Sequence, residues 1–321
     1  MTLNRRTLLA GAIASAAVPL LAACGGGDED HGPGDIVAVA SANSDFSILV
    51  EAVAAAGLVN TLQSEGPFTV FAPTNAAFVA LLAELDVTKE DLLADKALLT
   101  AVLTYHVLPG KVESSAVAGL LGKAINTVQG SIFKVDSVEG ALKITDGRNR
   151  TAGITATDIQ ASNGVIHVID QVILPANKTI VETAQSISDF SILVDAVVEA
   201  GLVETLNGAE PFTVFAPTNA AFAAALTELG LTAEDLLASP LLGDILKYHV
   251  VSGRVLKADV PVDTDIPTVL GETETLRISS TFVITDEAGR TANITTTDVL
   301  ASNGVIHVID RVILPSAFAS V

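Results

Sequence analysis

Histidine is the residue type best suited to acid–base or metal chemistry in this chain, and four of its five histidines occur in matching sequence contexts. Zinc sites bring histidines or cysteines together at close spacing, often as His-x-x-x-His. Here the two histidines in each half of the chain are about 60 residues apart, and one of each pair lies inside a strongly apolar run. A buried, neutral, hydrogen-bonded imidazole suits that setting. The sequence therefore predicts a structural role, and no metal site, for His106, His167, His249 and His307.

Other groups that could perform catalysis are isolated in the sequence. There is no Gly-x-Ser-x-Gly nucleophile motif and no phosphate-binding glycine pattern. Asp170 and Asp310 each follow a repeated histidine by three positions, but residues three apart on a strand point to opposite faces. We therefore expect neither enzyme activity nor a cofactor. A hydrolase that uses an unrecognised pair of acidic residues is a weaker alternative.

The only two tyrosines of the chain both precede a repeated histidine, in Tyr105-His106 and Tyr248-His249. A chain with so few aromatic residues that places both phenols in the same context requires them there. One interpretation is burial with the hydroxyl group hydrogen-bonded. The other is an exposed binding segment, and the sequence leaves both open.

The chain repeats itself over a distance of one domain. Pro67–Phe78 recurs unchanged as Pro211–Phe222, and Ala161–Asp170 recurs unchanged as Ala301–Asp310. The copies are 140 to 144 residues apart and keep the same order. Solenoid repeats are about 20–50 residues long, whereas this period corresponds to one globular domain. The sequence therefore predicts a duplicated domain.

Residues 1–23 have the pattern of a lipoprotein signal peptide. Arg5 and Arg6 form a positive region, an apolar stretch follows, and small residues precede Cys24. Because Cys24 is the only cysteine, we expect it to be lipidated and no disulfide to form within the chain. Residues 24–35 are predicted to be a flexible tether in which His31 is solvated. The general and the twin-arginine export routes both remain open.

The charge balance limits the possible partners. Asp and Glu outnumber Lys and Arg by 37 to 17, which gives a formal net charge of −20. Such a surface repels nucleic acid and anionic lipid headgroups. No later segment is an uninterrupted apolar run of 18 residues, so membrane attachment is expected only through the N-terminal anchor.

Each repeat predicts helices first and strands afterwards, an α+β arrangement. Asp45–Gly57 has apolar residues on one helical face, and Phe68–Ala72 has the pattern of a short strand. Thr74 is placed to cap a helix that starts at Asn75, and Thr88 to cap the next. Further strands are predicted at Ala101–Leu108, Ile132–Val135, Ala141–Thr145, Gly153–Thr157 and Val165–Leu174.

These motifs resemble those of the fasciclin domain family, which occurs in adhesion and matrix proteins. The resemblance rests on Thr-Val-Phe-Ala-Pro-Thr-Asn-Ala-Ala-Phe, Tyr-His and Asn-Gly-Val-Ile-His-Val-Ile-Asp, found in this order in both repeats. It implies two tandem domains, each a β-sandwich-like wedge with packed helices. The expected boundaries are 36–175 for the first domain, 176–179 for the linker and 180–321 for the second.

The resemblance also implies residue roles. In animal members, Tyr-His and Asp-Ile segments are implicated in integrin binding, so the matching positions form a candidate adhesion surface: Tyr105, His106, Asp158, Ile159, Tyr248, His249, Asp298 and Val299. Other repeated positions are expected to be structural: Thr74, Asn75, His167, Thr218, Asn219 and His307.

The expected function is that of a non-enzymatic, lipid-anchored cell-surface protein that uses two fasciclin domains to adhere to an extracellular protein or glycan. Two linked modules can raise avidity for a repetitive partner. The alternative is a carrier of a small apolar, carotenoid-like ligand, which would require an apolar pocket in the structure. The sequence does not indicate the oligomeric state.

Overall fold

The computed structural model describes residues 32–208 and 210–318, which form two domains built to the same plan. The helices of the first domain are α1 (Ile36–Ser41), α2 (Ser47–Ala55), α3 (Val59–Leu62), α4 (Asn75–Leu85), α5 (Lys89–Ala94), α6 (Lys96–Tyr105) and α7 (Ser114–Val117). Those of the second are α8 (Ile180–Gln185), α9 (Ser191–Glu199), α10 (Val203–Leu206), α11 (Asn219–Leu229), α12 (Ala233–Leu237) and α13 (Leu242–Tyr248). Short 3-10 turns lie at Ser44–Phe46, Ser188–Phe190, Lys257–Asp259 and Ser316–Phe318.

Each domain also contains seven strands joined in one continuous sheet. In the first they are β1 (Phe68–Pro73), β2 (Val107–Pro109), β3 (Ile125–Asn126), β4 (Ile132–Val138), β5 (Ala141–Thr145), β6 (Thr151–Ala161) and β7 (Gly164–Ile169), in the order β2-β1-β7-β6-β5-β4-β3. In the second they are β8 (Phe212–Pro217), β9 (Val250–Ser252), β10 (Asp265–Thr268), β11 (Gly271–Ile278), β12 (Val283–Thr285), β13 (Thr291–Ala301) and β14 (Gly304–Ile309), in the order β10-β11-β12-β13-β14-β8-β9. Strands β1 and β7 pair in parallel, as do β8 and β14. The predicted α+β class with two tandem domains is confirmed.

Each sheet separates two apolar cores. Along β1, Val70 and Ala72 face a core shared with the helices, while Phe71 faces a second core on the other side of the sheet. This alternation follows from the two-residue period of a strand. Because β7 is buried on both faces, it is apolar along nearly its whole length.

Local sequence signals explain where several helices begin. The Thr74 side chain accepts a hydrogen bond from the backbone N–H of Ala77 at the start of α4. Thr88 and Asp91 form a capping box at the start of α5. Gly57 has φ of +73° just after α2, a conformation that favours glycine. The predicted caps at Thr74 and Thr88 are confirmed.

One predicted strand is wrong. The sequence predicts a strand over Ala101–Leu108, but the structure has helix α6 followed by the three-residue strand β2. Leu99, Val102 and Leu103 recur at helical spacing and are buried on one side of α6. The β-branched and aromatic residues of this segment favour a strand by propensity, but the helical spacing of its buried positions prevails.

The last apolar run of the first domain is also only partly a strand. Strand β7 covers the first part of the predicted Val165–Leu174 run. Beyond it, the Ile173 N–H donates to Nε2 of His106 (3.1 Å) and the Leu174 N–H donates to the carboxylate of Asp146 (2.9 Å). Buried side chains therefore satisfy the backbone in this segment in place of a neighbouring strand.

Within the described ranges, no helix is both long enough and apolar enough to cross a bilayer. The predicted signal peptide, Cys24, His31 and most of the predicted tether lie outside the described residues.

Candidate functional site

Both tyrosines are buried at the ends of matching helices. Tyr105 ends α6 and Tyr248 ends α13, and neither side chain is exposed. The Tyr105 hydroxyl donates to the carbonyl oxygen of Ile132 (2.6 Å) and accepts from the N–H of Gly147 (2.8 Å). The Tyr248 hydroxyl donates in the same way to the carbonyl oxygen of Thr275. Burial raises the pKa of both phenols above the usual value of 10, so each stays protonated and ties a helix to the sheet.

The neighbouring histidines connect backbone groups inside the core. His106 donates from Nδ1 to the carbonyl oxygen of Val102 (2.7 Å), and its Nε2 accepts from the N–H of Ile173. His249 makes the equivalent two bonds in the second domain. Only a neutral imidazole can donate from one nitrogen and accept at the other. Burial lowers the pKa of both rings to about 4, which keeps them neutral.

The second pair of histidines supports two aspartates. Nδ1 of His167 accepts from the backbone N–H of Asp158 (3.3 Å), and its Nε2 donates to the carbonyl oxygen of Val112 (2.8 Å). His307 accepts in the same way from Asp298 (3.2 Å), and burial lowers its pKa. Both aspartates lie at irregularities of strands β6 and β13 and have φ near +60°. The histidines therefore stabilise a backbone conformation that non-glycine residues adopt rarely.

In the first domain, the aspartate remains accessible. The Asp158 carboxylate is half-buried and accepts hydrogen bonds from the backbone N–H of Ser114 (2.8 Å) and from the Ser114 hydroxyl. Burial acts to raise the pKa of Asp158, but the hydrogen bonds from Ser114 outweigh it and lower the pKa below its ordinary value. Ile159 is half-buried and packs against the helical core. The first domain therefore presents a fixed, ionised carboxylate.

In the second domain, the matching aspartate, Asp298, forms an ion pair with a lysine of the first domain. Asp298 accepts from the N–H of Lys257 (2.7 Å), and its other oxygen lies 3.1 Å from Nζ of Lys134 on β4. The Asp298 side chain is only 3% exposed and that of Lys134 only 13%. Burial opposes the charged ammonium, but attraction to Asp298 and Asp136 outweighs it and raises the pKa of Lys134.

An apolar contact and a pair of amide hydrogen bonds complete this contact between domains. Ile132 belongs to one buried cluster with Leu256, Leu300 and Val305. The Asn149 side chain donates to the carbonyl oxygen of Leu300 (3.0 Å) and accepts from its N–H (2.7 Å).

We term the half contributed by the first domain, with Ile132, Lys134 and Asn149, the strand face. The half contributed by the second domain, with Leu256, Asp298 and Leu300, is the aspartate face.

This burial corrects part of the expected adhesion surface. Four of its residues are in the core, because their polar atoms bind backbone groups there: Tyr105, His106, Tyr248 and His249. Asp298 lies beneath the first domain, and Val299 is half-buried against the helical core of its own domain. Of the expected surface, Asp158 and Ile159 are the pair whose carboxylate is not enclosed by the other domain.

Thr74 and Asn75 join two helices. Thr74 caps α4, and the Asn75 side chain accepts from the N–H of Ile48 (3.0 Å) and donates to the carbonyl oxygen of Ser44 (2.9 Å). This places the start of α2 against the start of α4. The same contacts recur at Thr218 and Asn219.

Each domain contains a buried Asp–Arg pair that the sequence motifs above do not predict. Asp146 is 1% exposed, and its carboxylate accepts from Arg150 (2.8 Å) and from the N–H of Leu174. Asp286 and Arg290 repeat the pair. Both copies share the spacing Asp-x-x-x-Arg followed by Thr-Ala, which is the signal that could have identified them.

Each domain has an apolar cleft between its first helices and the sheet. The cleft of the second domain encloses about 40 Å³ and is lined by residues such as Ile180, Val197, Leu206 and Ile306. The corresponding cleft of the first domain encloses about 30 Å³. A water molecule needs about 10–15 Å³ on this measure. These spaces are therefore no larger than a few water molecules, and a carotenoid-sized ligand would enter only if helices moved.

Among residues 32–208 and 210–318, no group of three His, Cys, Asp or Glu side chains is arranged to hold a metal ion. Both ring nitrogens of His106 and of His167 bond to backbone groups, as do those of His249 and His307. The four histidines therefore support the fold from inside the domains. Asp158, which His167 supports, is an accessible group whose charge is fixed by hydrogen bonds.

Comparison with known proteins identifies the architecture. The model of the Fasciclin domain matches residues 44–175 and again residues 188–315. Protein sll1483 of Synechocystis is 51% identical over 147 residues, which cover 44% of this chain and 73% of that protein. The pig transforming growth factor-beta-induced protein ig-h3 is 28% identical over 280 residues, covering 86% of this chain but 37% of the pig protein.

A solved structure of a FAS1 domain pair from the insect cell adhesion molecule Fasciclin I covers 84% of this chain at 18% identity, with a TM-score of 0.41. Two matches to one domain model, over most of the chain and in register with the observed repeat, establish the relationship. The chain belongs to the fasciclin domain family.

Proposed function

We propose that this protein is a non-enzymatic adhesion protein that presents its two fasciclin domains outside the cell and binds an extracellular protein or glycan. The family includes homologues associated with adhesion. The observation that carries the proposal for this chain is the Asp158 carboxylate, which is ionised, fixed by Ser114 and half-exposed. A fixed charge costs less ordering entropy on binding than a mobile one.

The binding surface in this proposal is single. The first domain offers Asp158 and Ile159, whereas Asp298 of the second domain is already paired with Lys134. The second domain therefore fixes the orientation of the first instead of adding an identical site. A gain in affinity from two identical sites is consequently not part of the proposal.

We also propose that a lipid on Cys24 holds the protein on the outer side of a membrane. Cys24 is the only thiol in the chain and follows a signal-like segment. We expect Cys24→Ala to move the protein from the detergent phase to the aqueous phase in a detergent-partition experiment. Retention of the variant in the detergent phase would contradict the anchor.

The test of adhesion compares two Asp→Asn variants of the unlipidated chain from residue 32 onward. Asp158→Asn removes the charge of the proposed site, and Asp195→Asn removes an exposed charge from α9 as a control. Binding is measured on an immobilised cell-envelope and matrix preparation. We expect Asp158→Asn to weaken binding about tenfold, which corresponds to ~1.4 kcal/mol. Equal binding by the two variants would contradict the assignment of the site.

A further inference from the structure

The contact between the two domains joins two unlike surfaces. The first domain contributes its strand face and the second its aspartate face. Since the domains share one architecture, the second domain also has a counterpart of the strand face, and the first a counterpart of the aspartate face. A contact between unlike faces can repeat from copy to copy and build a filament.

The counterpart of the strand face is identified by the tyrosine hydrogen bonds. Tyr105 donates to Ile132, and Tyr248 donates to Thr275, so these two strand positions are equivalent. Two residues further on, Arg277 stands where the first domain has Lys134. The Arg277 side chain is 54% exposed, and its Nη1 lies 3.4 Å from a carboxylate oxygen of Asp265. The positive charge of the strand face is thus kept, while its apolar residue becomes a threonine.

The amide contact of the strand face is lost in the second domain. The turns that begin at Asp146 and Asp286 share the hydrogen bond from the aspartate N–H to the carbonyl oxygen four residues later. This aligns Asn149 with Gly289, and both have positive φ, +62° and +74°. Glycine has no side chain with which to repeat the two bonds that Asn149 makes to Leu300.

The counterpart of the aspartate face is identified by the support of the carboxylate. Ser114 donates its N–H to Asp158, as Lys257 does to Asp298. The residue before Ser114 is Glu113, at the position of Leu256. Gln160 likewise occupies the position of Leu300. The carboxylate is kept in the first domain, but both apolar side chains around it are replaced by polar ones.

The outer faces thus retain the two charges of the interface and lose its other contacts. Arg277 and Asp158 are complementary in sign, as Lys134 and Asp298 are. An exposed ion pair alone contributes little. Docking would also remove water from Glu113 and Gln160, which both contact Nζ of Lys111 (2.9 and 2.7 Å) in place of the apolar contacts of the interface. We propose that the two outer faces fit a second copy of this chain head to tail, and that four residues prevent this docking: Glu113, Gln160, Thr275 and Gly289.

A mixing experiment with two partly restored chains tests this proposal. One chain carries Thr275→Ile and Gly289→Asn, which restore the strand face on the second domain. The other carries Glu113→Leu and Gln160→Leu, which restore the aspartate face on the first. Each keeps its other end unchanged, so each alone is expected to be a monomer. An equimolar mixture is expected to form a one-to-one dimer, with twice the mass in sedimentation velocity.

The charge pair provides the specificity control. Adding Arg277→Glu to the first chain is expected to abolish the dimer, whereas Lys96→Glu, an equal charge change at an exposed site on α6, is expected to leave it intact. The experiment uses purified chains from residue 32 onward without any adhesion partner, so its result is independent of the proposed function.

Three outcomes would overturn the proposal. A mixture that stays monomeric, with both chains folded by circular dichroism, would show that the faces do not fit. Association that persists with Arg277→Glu would show non-specific apolar contact. Association of the unaltered protein that Arg277→Glu abolishes would show that the four residues do not prevent docking.

Discussion

At the residue scale, the repeated histidines show how a residue type suited to catalysis can serve structure alone. His106 receives a backbone N–H at one ring nitrogen and donates to a helix carbonyl from the other. A protonated ring has no acceptor. Protonation would therefore break one bond and place a charge in an apolar core.

The lowered pKa values predict that acid destabilises the protein. In the unfolded chain these histidines titrate near 6.5, whereas burial lowers the pKa of His106 and His249 to about 4 in the folded state. Between these values the unfolded state binds more protons, so the free energy of unfolding falls as the pH falls. The slope approaches about 1.4 kcal/mol per pH unit for each histidine.

Urea unfolding between about pH 7 and about pH 4.5 measures this dependence. We expect His106→Gln, and separately His249→Gln, to reduce the slope. Ordinary carboxyl groups, which titrate near pH 4, contribute mainly at the lower end of this window, so the slope above about pH 5 reports on the histidines. A free energy of unfolding that stays constant over this range would contradict the neutral, buried state of the rings.

The tyrosines give an independent test of the same core. The chain has two tyrosines and no tryptophan, so the tyrosinate absorbance band reports on Tyr105 and Tyr248 alone. Because burial raises both pKa values, the folded protein should show little tyrosinate at about pH 11, while the chain in concentrated urea ionises near pH 10. Ionisation near pH 10 with a native circular dichroism spectrum would contradict the burial of the hydroxyls.

At the element scale, Asn75 determines how two helices meet. Its side chain accepts from the N–H of Ile48, which lies in the first turn of α2 and has no partner within the helix. It also donates to the carbonyl oxygen of Ser44, which accepts a second hydrogen bond from the N–H of Ser47. We expect Asn75→Ala to lower the free energy of unfolding by about 1–3 kcal/mol. Asn60→Ala, at an exposed position of α3, is the control and should change it by less than about 0.5 kcal/mol. Equal effects of the two substitutions would exclude a special role for Asn75.

Sequence patterns predict elements well where a short-range signal acts alone. The Thr74 and Thr88 caps could be predicted because a hydroxyl at a helix start has a local partner. Helix α6 could not be separated from a strand by propensity, since its Val, Thr and Tyr residues favour strands. Its helical state depends on which side chains the sheet buries, and that is a tertiary property.

The repeat explains which site residues could be predicted. Residues that each domain needs for its own core occur twice, so comparison of the copies reveals His167 and Asn75. Lys134 and Asn149 contribute to a contact that exists once, and their counterparts are Arg277 and Gly289. Comparison of the two copies therefore does not reveal the interface residues, because they occur in one copy only. Whether the Tyr-His segments are buried or exposed could not be decided without the fold.

At the scale of the whole molecule, one of the two equivalent aspartates lies in the contact between the domains and the other lies outside it. Asp298 joins the domains through Lys134, whereas Asp158 at the equivalent position faces solvent. This division explains how two copies of one motif can have different roles within a single chain. The different roles of the two aspartates depend on the pairing of Lys134 with Asp298 across the interface.

A double-mutant cycle on this pair is the most direct test of that claim. Lys134→Met and Asp298→Asn are made singly and together, and the free energy of unfolding is measured in urea. Lys134→Met leaves the buried Asp298 carboxylate without its cation, and Asp298→Asn leaves Lys134 with Asp136 as its remaining acidic partner. Each single variant should therefore be destabilised, the first more than the second. We predict a coupling energy of about 1–3 kcal/mol, since the charged atoms are 3.1 Å apart. Strictly additive effects, with no coupling energy, would contradict the contact and the single outward-facing aspartate that follows from it.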